Sequence, residues 1–233
     1  MSYILQHPDF GLGNFINLTP AIRWLSVREG RRIPVYFTLD YVRQCFLDCP
    51  FMEILQEKPD YAPLFGSNFT NEKNDKPDYQ YIFETVSGET WTKEWHTYVD
   101  TVPERAKIYK ETIGQFTVVI NGSGSLDPGY ISKKDPGEDN YLALLQNTVR
   151  VVFVGSEEDG ERNPGLVRIA DYVVLGDIRF ALGLINAADY IIANDTGLAH
   201  AAGAMNKPMT VLWKDTPRER CKNAGENTEY RYQ

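Results

Sequence analysis

The second half of the chain carries five short apolar runs, Thr117–Asn121, Val151–Val154, Tyr172–Leu175, Tyr190–Ala193 and Met209–Trp213, and helical patterns fill the gaps between them. Strands separated by helices cannot pair as hairpins, so the regular alternation predicts a mainly parallel sheet covered by helices. In doubly wound sheets of this kind ligands lie beyond the carboxyl ends of the strands. The loops after these five runs are therefore the first place to look for chemistry.

The first half reads as a second, less regular unit of the same class. It opens with a brief strand (Tyr3–Gln6), a glycine turn (Gly11, Gly13) and a helix with Leu18, Ile22 and Leu25 on one face. A strand at Ile33–Phe37, a helical stretch near Tyr41–Leu47 and a strand at Tyr79–Phe83 follow. Lys58–Lys76 is rich in Pro, Asn, Asp and Gly and reads as a long surface loop, suited to an acceptor-binding flap. Helix-prone sequence from Trp91 to Glu111 ends at Gly114, where a new strand begins. The expected boundary is thus Thr112–Gln115, giving domains 1–114 and 115–233.

With 233 residues, 42% hydrophobic and 24% charged, the chain is long and apolar enough for two compact domains. Its apolar runs fall far short of the ~20 residues that cross a bilayer, and no basic segment followed by an apolar run opens it. A cytoplasmic protein is expected. Cys45, Cys49 and Cys221 are odd in number, and no histidine stands at ligand spacing from the first two, so neither a disulfide framework nor a zinc site is indicated. The net charge of −8 argues against a general electrostatic grip on nucleic acid. An anionic ligand must then be held by backbone amides and a few basic side chains.

The run Asn194-Asp195-Thr196-Gly197-Leu198-Ala199-His200 lies between an apolar strand and a helix of small residues. Thr196 is suited to cap that helix, and Gly197 lets a ligand approach the backbone at its positive end. His200 stands four residues after Thr196, on the same face, and can donate to the same phosphate. Asp195 is placed to accept hydroxyl hydrogens of a sugar. The same residues equally suit a plain helix cap beside a packed imidazole.

Asp177-Ile178-Arg179-Phe180-Ala181-Leu182-Gly183-Leu184-Ile185, then Ala188-Asp189, the Asn194–His200 run and Lys207-Pro208-Met209-Thr210-Val211-Leu212 resemble the C-terminal block of the ADP-heptose:lipopolysaccharide heptosyltransferases, glycosyltransferase family 9. The opening Gly11-Leu12-Gly13-Asn14-Phe15-Ile16-Asn17-Leu18-Thr19-Pro20-Ala21-Ile22-Arg23 is similar to the family's first glycine turn and helix. The resemblance therefore spans both ends, with the middle contracted. It implies a GT-B fold of two Rossmann-like α/β domains, acceptor side first and nucleotide-sugar side second. It also implies a metal-independent, inverting transfer from a nucleoside-diphosphate sugar, ADP-heptose-like, to a hydroxyl on a glycan or lipid-linked saccharide. No cofactor beyond the nucleotide-sugar co-substrate is expected.

Several further positions take on donor roles by this resemblance. Gly13 belongs to the first turn, and Ser123 and Gly124, in the turn after the strand at Thr117, offer groups to phosphate or sugar. A basic residue after that turn meets the diphosphate in the family, and either Lys133 or Lys134 can take its place. A carboxylate just past Val151–Val154 suits the ribose hydroxyls, with Glu158 and Asp159 as alternatives. The family's catalytic base follows the first glycine turn as an aspartate, where this chain has Asn14, and an amide is no base at neutral pH. Asp9 is the substitute candidate, with His7 and His96 behind it.

Three other functions compete. Compact GT-B enzymes of bacterial viruses glycosylate modified bases in DNA, a reading disfavoured by the pI near 5.0. A catalytically silent nucleotide-sugar-binding protein would account for Asn14. An NAD protein is weakened by the missing third glycine after Gly11-Leu12-Gly13.

Overall fold

The computed structural model describes residues 2–8, 10–66, 76–122, 134–146, 148, 150–215, 222 and 225–232. The chain divides into two compact units, Met1–Asp100 and Thr101–Thr216 with Gly225–Gln233. The division thus falls ahead of the helix that the sequence pattern places before a boundary at Thr112–Gln115.

In the first unit, β1 (Tyr3–Leu5), β2 (Ile33–Tyr36), β3 (Met52–Leu55) and β4 (Pro63–Gly66) form a parallel sheet in the order β3-β2-β1-β4. Helix α1 (Leu12–Glu29) follows β1 and buries Phe15, Ile16, Leu18, Ile22 and Leu25. It stops at Gly30, whose left-handed φ of 63° closes the last turn with amide bonds to Ser26 and Val27. A short α2 (Asp40–Arg43) runs into a 3-10 turn at Gln44–Phe46. Cys45 and Cys49 are buried thiols outside any disulfide, and burial pushes that of Cys49 up to about 12, so it is inert at neutral pH. Cys221 lies outside the described residues.

Two features of this unit differ from the sequence expectation. Tyr79–Phe83 belongs not to a strand but to helix α3 (Asp78–Ser87), whose Tyr79, Ile82 and Phe83 form a buried i, i+3, i+4 stripe facing α1. The stretch expected to be surface loop, Lys58–Lys76, contains β4, which pairs in parallel with β1; residues 67–75 lie outside the described set.

The second unit begins with α4 (Pro103–Ile113) and holds a six-stranded parallel sheet. Its strands are β5 (Thr117–Ile120), β6 (Val151–Gly155), β7 (Tyr172–Leu175), β8 (Tyr190–Asn194), β9 (Met209–Trp213) and β10 (Thr228–Tyr232), in the order β10-β9-β8-β5-β6-β7. The helices are α5 (Glu138–Leu144), α6 (Glu157–Arg162), α7 (Pro164–Ile169), α8 (Ile178–Ala187) and α9 (Gly197–Ala204). β5 and β9 are buried throughout, as strands covered on both faces must be. Val119, Phe153, Ile192 and Leu212 of four neighbouring strands pack in one core with Tyr141, Leu145 and Leu166. Chain order runs outward from β5 through β6 to β7, then returns through β8 to β9 and β10. The topological switch therefore lies between β5 and β8.

Helices α4 and α8 approach closely through Gly183, where an added Cβ would stand 2.9 Å from Tyr109 Cε2 and 3.1 Å from Arg105 Cβ. Any side chain here must displace one helix or force both neighbours off their rotamers. Gly183→Val is expected to lose about 1–3 kcal/mol of stability, read from the urea midpoint of the purified protein. No helix among the described residues is long and apolar enough to cross a membrane.

Candidate functional site

At the switch point, β8 ends in Asn194 and the chain turns through Asp195 and Thr196 into α9. Thr196 is extended (φ −137°, ψ 168°), and its hydroxyl accepts from the Ala199 amide at 3.4 Å, so the predicted cap is present. The amides of Gly197 and Leu198 have no acceptor within the helix, and the first turn carries no acid to neutralise its positive end. Such a helix end favours an anion.

Asp195 is 5% exposed and is met by two basic groups. Lys134 Nζ lies 2.9 Å from Oδ2 and donates to the Asp195 carbonyl at 3.0 Å. The carboxylate contact itself is ionic rather than a well-aligned hydrogen bond, for Oδ2 lacks a bond of good geometry among the described residues. His200 Nε2 faces Oδ1 at 3.6 Å. Burial alone would raise the Asp195 carboxyl, but the His200 contact and the Lys134 charge outweigh it and hold the group down to about 2. It is a carboxylate at every physiological pH. The buried Nδ1 of His200 has no hydrogen-bond partner among the described residues.

The predicted donor residues Asp195, Thr196, Gly197, His200 and Lys134 thus come together at one strand end. Ser123, Gly124 and Lys133 lie outside the described residues, so of the two lysines only Lys134 is placed. The two acidic alternatives after β6 separate clearly. Glu158 is exposed. Asp159 is buried and committed to a capping box with Ser156, Oδ2 accepting from the Ser156 amide at 2.9 Å while Oδ1 is ion-paired with Arg162. Asp159→Ala is expected to cost about 1–2 kcal/mol of stability through the lost cap, whereas Glu158→Ala leaves the unfolding midpoint unchanged.

A buried amide network behind this site has no counterpart in the sequence expectation. Asn121, just past β5, donates to Asn163 Oδ1 at 2.7 Å and to Asp135 Oδ1 at 3.1 Å. Asn163 donates to the carbonyls of Asn121 and Asp159 at 3.1 and 2.7 Å. The Tyr141 hydroxyl donates to the Ile120 carbonyl at 3.0 Å. Asn194 exchanges bonds with Gly122, donating to its carbonyl at 2.8 Å and accepting from its amide at 3.1 Å. The available signal was the placement of an Asn straight after the apolar run of β5 and another at the end of β8.

In the first unit the turn after β1 is pinned by buried Gln6. Its Oε1 accepts from the Thr38 and Leu39 amides at 2.9 and 3.1 Å, which ties the carboxyl ends of β1 and β2 together. Gly13 and Asn14 fall in the first turn of α1, with Asn14 exposed; Gly11 caps the helix without a side-chain bond, and no acid stands in that turn. His7 packs edge-on against Phe10, in the same turn. Asp9 lies outside the described residues. His96 is elsewhere: its Nδ1 is 3.3 Å from Arg23, which follows the start of α1 by about 16 Å of helix rise. With Arg23, Pro50, Phe51 and Tyr98 it lines a shallow hollow away from the turn after β1.

Two α/β units, each with a parallel sheet, make up a fold of the GT-B type. Residues 138–231 match the family model "Glycosyltransferase family 9 (heptosyltransferase)", in agreement with the resemblance read from the sequence. Among solved structures, Escherichia coli ADP-heptose lps heptosyltransferase II superposes with a TM-score of 0.72 at 13% identity, covering 99% of this chain and 90% of its own. The family 9 glycosyl transferase of Veillonella parvula DSM 2008 gives 0.72 at 12%, with 100% and 86% covered. E. coli heptosyltransferase WaaC with ADP gives 0.65 at 12%, with 100% and 93% covered. No curated protein sequence matches the chain.

Proposed function

We propose that the chain transfers a sugar from a nucleoside-diphosphate sugar, ADP-heptose-like, to a hydroxyl of a glycan or lipid-linked saccharide, without a metal and with inversion at the anomeric carbon. The observation that carries this reading is the convergence of the α9 amino end, Lys134 and the ionised Asp195 at the switch point between β5 and β8. The helix amides and Lys134 neutralise the departing diphosphate as the bond from its oxygen to the anomeric carbon breaks. Asp195 accepts hydrogens from sugar hydroxyls and fixes the ring, and His200 donates to a phosphate oxygen. Glu158, the exposed carboxylate after β6, takes the ribose hydroxyls. The first unit is the acceptor side, with Gly13 and Asn14 its candidate residues and Asp9 the base that takes the acceptor proton. The likeness in fold to an ADP-heptose lps heptosyltransferase and to a heptosyltransferase with ADP supports the donor class. We place the enzyme in the cytoplasm.

A second reading is a nucleotide-sugar-binding protein without transfer activity, favoured by the exposed amide of Asn14 where the family resemblance calls for a base. A hydroxymethylated DNA acceptor is disfavoured by the net charge of −8. The test is a thermal-unfolding screen against ADP-, UDP-, GDP- and CDP-sugars with NAD as control, since a ligand bound only by the folded state raises its stability. A rise of the melting temperature with one nucleotide sugar supports the proposal; a rise with NAD alone, or with none, overturns it.

A further inference from the structure

Asn194 is fully buried at the end of β8 and has no solvent to satisfy it. The parallel ladder between β5 and β8 ends at Ile120 and Ala193, and beyond that point the two backbones no longer pair. The Asn194 amide takes over: Oδ1 accepts from the Gly122 amide, and Nδ2 donates to the Gly122 carbonyl. Its remaining hydrogen goes to the Lys134 carbonyl at 3.2 Å. Both donors and one acceptor site of the side chain are thereby used on main-chain groups of two separate segments. The residue after Lys134 is held as well, Asp135 Oδ1 accepting from Asn121 Nδ2 at 3.1 Å and from the Gly137 amide at 2.8 Å. Lys134 is therefore fixed through its own peptide and through its neighbour, and from that position its ammonium reaches Asp195.

We propose that Asn194 is a positioning residue of the donor site: by clasping Gly122 and the Lys134 carbonyl it sets the Lys134 ammonium beside Asp195, where a diphosphate is to be met. The inference rests on the donor-site reading above for its diphosphate, but the placement of Lys134 is testable without any ligand. Asn194 touches no reacting atom in this account. Its whole effect passes through Lys134.

The experiment is a carboxyl ¹³C NMR titration of Asp195 in ligand-free protein, for the parent, Asn194→Ala, Lys134→Met and the double variant, with ADP binding measured by calorimetry on the same four. Among the described residues the groups facing Asp195 are Lys134 and His200, so removing the lysine charge moves the titration up toward the ordinary carboxylate value. Asn194→Ala is expected to move it in the same direction, and the double variant no further than Lys134→Met alone. ADP affinity is expected to fall about tenfold in Asn194→Ala and to show the same lack of additivity. A merely structural asparagine would lower stability equally in both backgrounds and leave the Asp195 titration where it is in the parent; that result, or additive effects, overturns the inference. Should the alanine variant not fold, Asn194→Ser keeps a hydroxyl for Gly122 and is judged by the same criteria. If the parent binds no ADP, the donor reading loses its support, while the carboxyl titration still decides the role of Asn194.

Discussion

Asp195→Asn is expected to bind the matching nucleotide sugar about ten- to a hundredfold more weakly than the parent, because a charged acceptor for sugar hydroxyls contributes about 1.5–3 kcal/mol. Isothermal calorimetry checks this directly, and the asparagine is preferred to alanine because it keeps the volume and one acceptor oxygen beside Lys134. An affinity equal to that of the parent would remove Asp195 from the donor site. The same variant carries a signature in acid. The Asp195 carboxyl titrates at about 2 in the folded protein against an ordinary value of 3.8. Its contribution, about 2 kcal/mol from that depression, is fully present above the unfolded value and is lost as the pH falls through the folded one. Between about pH 4 and pH 2 the parent should therefore lose stability more steeply than Asp195→Asn.

If the chain binds its donor but lacks a general base, Asn14→Asp is expected to raise the transfer rate about 10²- to 10⁴-fold, the usual worth of a placed general base, whereas with Asp9 as base the rate stays as in the parent. Position 14 lies in the first turn of α1, which is exposed, uncapped by any side chain and free of acids. A carboxylate there meets the positive end of an 18-residue helix, so it stays ionised and costs the fold nothing. Donor turnover with a saccharide acceptor, followed by mass spectrometry of the product, provides the measurement. A large gain means that the parent chain binds its donor but has lost the family's base. An unchanged rate in an active parent places the base elsewhere, with Asp9 the first position to replace.

The second sheet was legible in the sequence because most of its strands read as unbroken apolar runs: Met209–Trp213 is buried throughout, and Tyr172–Leu175 is apolar although it lies exposed at the sheet edge, both observed as expected. The first sheet was legible only in β1 and β2. Met52–Leu55 and Pro63–Gly66 are short and interrupted by Glu53 and Pro63, so neither carries a strand signal, although both pair in parallel within the sheet. In Tyr79–Phe83 the aromatic residues suggest a strand, but Tyr79, Ile82 and Phe83 also have helical spacing, and packing against α1 decides for the helix. β10 went unread because Glu229 and Arg231 alternate with its tyrosines on an edge strand. At the site, the Thr196 cap and the four-residue spacing from Thr196 to His200 are local and were visible. The clasp of Asn194 on Gly122 was not, since a side chain's partner 72 residues away leaves no mark on the residues around it.

The returning order of the second sheet also sets a schedule for the nascent chain. β5 can gain β6 on one side soon after both leave the ribosome, but its other neighbour, β8, is synthesised only after β7 and α8. Until then β5, entirely apolar apart from Thr117, stands as an open edge inside what will become the centre of the unit. Chains halted before Asn194 should therefore be sticky and protease-sensitive, and completion of β8 is the step at which this half becomes able to fold.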